Sequence, residues 1–152
     1  IRASGVVHAI LHTSWVVSAH GANFVKTMLR LSEIRDALNV VSDQNGGPTP
    51  ARDIAAACLQ IVDQLIQDPA KSGTYHFSGA PDVSWADFAA EVFNQAERSV
   101  AVTSIHTAEY TTPAARPLNS RMDCSATEQA FGIARPEWRK GLNTILQELE
   151  GI

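Results

Sequence analysis

The 152-residue sequence is short of several things, and each shortage removes a class of protein. It has only two cysteines, Cys58 and Cys124, far apart and with no C-x-x-C spacing. That excludes a disulfide scaffold and a thiolate metal site, and it leaves a pair of buried thiols in a reducing cytosol as the expectation. Positive charge is scarce too: twelve Lys and Arg stand against sixteen Asp and Glu, for a net charge of −4. This balance argues against a nucleic acid backbone or an anionic membrane surface as partner. No apolar run approaches the roughly 20 residues that a membrane span needs. Ile1-Arg2-Ala3-Ser4-Gly5 has no apolar core of the signal-peptide kind, and it runs straight into a strand pattern. The sequence opens without methionine, so a piece of a longer protein is expected as readily as a processed chain.

Catalytic signatures are missing as well. There is no G-x-x-x-x-G-K-[ST] phosphate loop, no G-x-G-x-x-G at a strand–helix junction and no G-x-S-x-G elbow. Tyr75 and Tyr110 are the two tyrosines, and neither has a lysine four residues on. His8 and His12 find no third ligand at metal spacing, so they read as strand residues and no metal is expected.

What is present suits a single globular domain: 45% hydrophobic and 18% charged residues, in a length that buries a sizeable core. Val6–Leu11 is nearly continuous in apolar residues, which suits a strand covered on both faces. From Asn23 to about Arg35, Phe24, Met28 and Leu31 recur at helical spacing, with Val25 and Leu29 widening the stripe. Leu38–Val41 reads as a short strand, followed by a loop from Ser42 to Pro50. Thr49 before Pro50 reads as the cap of a helix carrying Ile54, Cys58, Ile61 and Leu65 on one face, which Asp68-Pro69 stops. Gly73–Gly79 and Val100–Ile105 read as strands, and Ser84 with Asp87 as a capping box. Thr111–Ser120, with its prolines, reads as irregular. A short helix capped by Ser125 and Glu128 ends at Gly132, and the last helix starts near Pro136. Strands alternating with helices make the class α/β.

Three polar loops stand out: Ser14–Asn23, Asp43–Thr49 and Arg116–Arg121. In open α/β sheets, ligands gather beyond the carboxyl ends of strands, where the first of these loops lies. Hydroxyls on Thr13 and Ser14, the ring of Trp15 and the amide of Asn23 suit a polar, ring-containing ligand. The two guanidinium forks of Arg116 and Arg121 suit a diphosphate. Each residue also has a plainer reading: Trp15 as a core aromatic, Asn23 as a helix cap, Gln44 as a turn brace, Arg116 as the partner of a nearby acid.

Five strings then point one way: Thr13-Ser14-Trp15-Val16, His20 through Leu29, Asp43-Gln44-x-Gly46-x-Pro48-Thr49, Gly73 through Gly79, and Arg116-Pro117-x-Asn119-Ser120-Arg121. In order and spacing the chain resembles dTDP-4-dehydrorhamnose reductase, an extended short-chain dehydrogenase/reductase family, from about Val6 to Leu149. The resemblance implies the C-terminal portion of a Rossmann-type fold, its last strands followed by a small α/β substrate-binding domain. Residues 1–152 would then be the substrate-binding portion, with the N-terminal cofactor-binding half absent. It also implies reduction of dTDP-4-dehydro-L-rhamnose to dTDP-L-rhamnose with NADPH or NADH, in the cytoplasm, for cell-surface polysaccharide. The family's catalytic Thr, Tyr and Lys would lie upstream of Ile1, so this chain alone is expected to be inactive.

Carried over residue by residue, Trp15 would contact the sugar near the nicotinamide, while Asn23, Phe24 and Val25 line the pocket. Gln44 and Thr49 would belong to the same wall, Arg116 and Asn119 would sit near the nucleotide diphosphate, and Thr13 and Ser14 would face the cofactor. The chain departs from the family at His12, where Arg is usual, at Val17, where Tyr is common, and at Asn45, where an apolar residue is usual. A lone half of a two-part fold leaves faces uncovered, so a homodimer or other self-association is expected. A non-catalytic nucleotide-sugar-binding or regulatory subunit of the same extended family is the alternative, and a stand-alone structural domain the third reading.

Overall fold

The structure is a computed structural model and describes residues 1–110 and 116–151. In chain order its elements are β1 (Ala9–His12), β2 (Val16–Val17), α1 (Phe24–Ser32), β3 (Ala37–Val41), β4 (Asn45–Gly46), β5 (Thr49–Pro50), α2 (Ala51–Gln67) and β6 (Gly73–His76). There follow β7 (Val83–Ser84), α3 (Trp85–Gln95), β8 (Ala101–Ile105), β9 (Asn119–Ser120), α4 (Ser125–Phe131) and α5 (Trp138–Glu150). The alternation is the α/β pattern that the sequence implies.

Parallel pairing dominates. β1 pairs with β6, β2 with β5 and β3 with β8, all parallel. Parallel neighbours need long crossovers, and the helices supply them. In a further small sheet β4 lies between β7, antiparallel, and β9, parallel, so that Asn45 stands opposite both Ser84 and Asn119. These two-residue strands matter more than their length suggests, because they bring the loops at 14–23, 43–49 and 116–121 together.

Two apolar clusters support this arrangement. The larger gathers Val17, Val25, Met28 and Val40 with Phe88, Val92 and Phe93 of α3 and Trp138, Leu142, Ile145 and Leu146 of α5. The smaller joins Ala57, Ile61 and Leu65 of α2 to Phe77, Phe131 and Ile133. Helix starts follow the chemistry of the sequence. Asn23 caps α1 by accepting from the Lys26 N–H, and Ser84 with Asp87 forms a complete capping box on α3.

Several expectations are corrected. The first strand begins at Ala9, not Val6, and it is not covered on both faces: Ala9–Leu11 are only half-buried and His12 is exposed, and Val6 and Val7 lie exposed before it. Thr49 is not a cap. It sits in β5, and α2 starts after Pro50 with no side-chain cap. Ser125 is the first residue of α4 and caps nothing; its own N–H donates to Asp123 Oδ1. Cys58 is exposed although it shares a helix with the buried Ile61, while Cys124 is buried; both thiols are free. Asn119–Ser120 pairs as a strand within the stretch expected to be irregular, and Thr111–Ala115 lie outside the described residues. Among the family departures, His12 is exposed and stacks on His76 with centroids 5.4 Å apart, and Val17 is buried in the larger core. No helix among the described residues is long and apolar enough to cross a membrane.

Candidate functional site

Trp15 is the centre of the loop cluster. Its backbone is left-handed, φ 49, which for a bulky residue costs about 1–2 kcal/mol unless contacts hold it there. Those contacts are visible. The Trp15 carbonyl accepts from the Thr49 N–H at 3.0 Å. The ring lies flat on Trp85, with centroids 3.5 Å apart and an 11° angle between planes. Gly46 packs on the same ring: a methyl group there would stand 2.8 Å from Trp15 Cε2, 3.0 Å from Nε1 and 3.2 Å from Cδ2. The indoles overlap so closely that nothing fits between them, so Gly46 covers the opposite face. Both faces of Trp15 are therefore occupied. The ring is not an open platform; it offers its edge.

Trp85 carries no motif, and the sequence marked only the capped helix it begins. Its ring also meets Phe24 at 4.5 Å, and Phe24 in turn stacks near Phe88 at 5.4 Å. The aromatic wall thus runs Trp15, Trp85, Phe24, Phe88. We expect Trp85→Ala to lower stability by about 2 kcal/mol and to abolish the exciton signal of the stacked indoles in circular dichroism. An unchanged spectrum would mean that the pair does not form in solution.

The remaining residues singled out by the sequence fall into distinct positions. Val25 and Thr49 are fully buried, each 0% exposed. The Thr49 hydroxyl lies 2.8 Å from the Ser14 carbonyl and 2.9 Å from that of Gly47, one of which takes its proton, and it accepts from the Gly79 N–H at 3.1 Å. It knots three segments together from beneath the cluster. Asn23 is spent on its loop, donating from Nδ2 to the Ser18 carbonyl at 2.6 Å while Oδ1 accepts from Lys26 N–H. Ser14 reaches the Ser120 carbonyl at 3.4 Å. Asn119 accepts from both N–H and Nε–H of Arg121, each at 3.1 Å, and is exposed like Arg116. Asn45, the family departure, sits between Ser84 and Asn119. The Thr13 hydroxyl is buried and, like Gln95 Oε1, has no partner among the described residues. An unsatisfied buried hydroxyl costs about 1–3 kcal/mol.

Gln44 is held by a network the sequence did not reveal. Its Nε2 donates to Thr107 Oγ1 at 3.0 Å, and that hydroxyl donates to Asp43 Oδ1 at 2.6 Å. The Thr107 hydrogen bond is the leading reason the Asp43 carboxyl is held below its usual range, outweighing a raising effect of burial; Thr107 N–H, the Asp43 backbone and His106 also lower it. A second unmarked residue, Arg135, pairs with Asp82 at 2.6 Å and donates to the carbonyls of Ser78 and Gly79, bracing the segment behind Thr49. A groove of about 320 Å³ runs between the first turn of α2 and α5, past Ser18, Arg52, Lys140 and Glu148. It touches the cluster only at Val17–Ala19, and Trp15, Gln44 and Asn119 do not line it. The cluster, with its converging polar groups, is the better candidate.

An α/β domain that seats Asp43–Thr49 on the Trp15 indole and pairs Asn119–Ser120 beside it through β4 has the loop arrangement of a candidate ligand-holding domain. Comparison with known proteins agrees. A family model described as the RmlD substrate binding domain matches residues 1–150, and the chain belongs to this family. A dTDP-4-dehydrorhamnose reductase of Aggregatibacter actinomycetemcomitans is 48% identical over 143 residues, covering 90% of this chain and 49% of that protein. One from Sinorhizobium fredii is 44% identical over 148 residues, covering 93% and 50%. Among solved structures, a dTDP-4-dehydrorhamnose reductase of Bacillus anthracis in complex with NADP is 34% identical, with a TM-score of 0.82, over 97% of this chain and 50% of that one. The chain spans about half the length of the curated relatives it matches.

Proposed function

We propose that this chain is the substrate-binding portion of a reductase that converts dTDP-4-dehydro-L-rhamnose to dTDP-L-rhamnose. The observation that carries the reading is the meeting of Ser14–Asn23, Asp43–Thr49 and Arg116–Arg121, through Gly46 on Trp15 and the pairing of β4 with β9, in a member of the substrate-binding family. In this reading the Trp15 edge and Gln44 orient the sugar, and Arg116 with Asn119 anchors the diphosphate of a dTDP sugar. Asn23, Phe24, Val25 and Thr49 hold the walls in place. Thr13 and Ser14 stand on the side of NADPH or NADH, which supplies the hydride when bound. Fixing a substrate against a cofactor is worth much of a barrier by itself, and remote anchoring on the nucleotide helps to hold that geometry.

The free thiols of Cys58 and Cys124 support placement in the reducing cytoplasm. The reading extends to self-association, because Val7, Val62 and Ile66 line a shallow apolar groove with Leu65 and Pro69. A sedimentation coefficient that stays at the monomer value at every concentration would remove that extension.

Calorimetric titration of the purified chain with dTDP-rhamnose, UDP-glucose and NADPH tests the central claim. Binding of the dTDP sugar in preference to UDP-glucose is the expected result. A preference for UDP-glucose, or no binding of either sugar, would overturn the assignment of the loop cluster as a dTDP-sugar site.

A further inference from the structure

Proton counting around Gln44 decides which end of its amide serves a ligand. The residue is 8% exposed, with Nε2 against Thr107 Oγ1. A threonine hydroxyl has one proton to give, and an ionised carboxylate can only accept. Asp43 takes that proton, and it also accepts from the Thr107 N–H, at 3.0 Å to Oδ1 and 3.1 Å to Oδ2. The Thr107 oxygen is left with lone pairs alone. A Gln44 carbonyl turned toward it would set acceptor against acceptor, so the NH₂ end must face Thr107.

We propose that Asp43 and Thr107 are positioning residues that fix Gln44 with its carbonyl oxygen directed away from Thr107, so that this wall of the site selects a ligand hydroxyl or N–H donor over an acceptor. The proposal rests on the reading of the loop cluster as the substrate site. Its geometry has a clear origin. β3 and β8 run parallel, so Asp43 and Thr107 emerge side by side just past their carboxyl ends. The carboxylate then serves the turn Thr107–Glu109 as a cap supplied from a distant part of the chain. His106 Nδ1, exposed and 3.6 Å from Asp43 Oδ2, adds positive charge when protonated. The Thr107 hydrogen bonds that hold the Asp43 carboxyl below its usual range keep it ionised, in its accepting form, at neutral pH.

Two measurements on the intact chain test this. In ¹⁵N-labelled protein, the Gln44 side-chain amide pair, identified by its loss in Gln44→Glu, should exchange slowly. Thr107→Val should speed that exchange about tenfold or more, and Thr107→Ser should restore it. Asp43→Ala serves as a second probe if Thr107→Val does not fold. An unaltered Gln44 pair in a folded Thr107→Val or Asp43→Ala protein overturns the positioning role. For the ligand, Gln44→Met should weaken dTDP-rhamnose binding about tenfold and Thr107→Val about threefold, with Thr107→Ser near wild type. Equal binding by wild type and Gln44→Met would overturn the acceptor role. Failure of the wild type to bind would remove the substrate-site reading and the ligand polarity with it, while the amide signals still decide the positioning.

Discussion

Replacing Trp138 with alanine should lower the free energy of unfolding by about 4 kcal/mol and the melting temperature by roughly 10 °C. Trp138 opens α5 and is 1% exposed. Its ring meets Phe88 edge-on at 5.2 Å, its Nε1 donates to the Pro81 carbonyl at 2.9 Å, and its backbone N–H donates to that of Ala80. The Arg139 guanidinium lies 4.3 Å over the ring. Truncation would leave a cavity between α3 and α5 and release the segment that passes behind Thr49. Urea denaturation checks this through a lower midpoint at unchanged slope. Trp138→Phe, which keeps most of the volume, should recover more than half of the loss. An alanine variant within about 0.5 kcal/mol of wild type, a margin typical of surface changes, would show that this helix does not hold the core.

Gly79→Ala should cost about 3 kcal/mol, for a different reason. The main chain at Gly79 runs directly against Pro48, and a methyl group there would overlap the Pro48 carbonyl oxygen and press on Trp138 Cβ at 3.1 Å. Gly47 faces the same crossing from the other side, where its own methyl would strike the Gly79 carbonyl. Neither obstacle is a flexible side chain, so the backbone must shift. Gly79 N–H also bonds the Thr49 hydroxyl, which reaches Ser14. The shift would therefore travel to Trp15, and binding of a dTDP sugar should fall along with stability. A variant that loses stability but binds as wild type would separate the crossing from the site. Wild-type stability would mean the two segments pass farther apart than the structure shows.

The protein shows where local rules suffice. The α/β alternation, the helices at Phe24–Ser32 and Trp85–Gln95, and their caps at Asn23 and Ser84 were legible in the sequence. Each depends on residues three or four positions apart, and the chain carries that information by itself. The five blocks of family residues were legible too, in their order and spacing, and the family match over residues 1–150 agrees with them. Thr49 was misread because threonine before proline looks like a cap, while its real partners, Ser14 and Gly79, arrive from elsewhere in the chain. The stripe of α2 placed Cys58 inward, yet α4 and β6 cover only the face of Ala57, Ile61 and Leu65.

What the sequence by itself determined is the set of elements and the residues that gather at their ends. Tertiary structure alone decided what those residues present: an indole with both faces taken by Trp85 and Gly46, and an amide facing Thr107 because Asp43 has claimed the hydroxyl proton. The physical reason is that contact faces and hydrogen-bond polarity are settled by neighbours, and these neighbours are brought together only when distant strands pair.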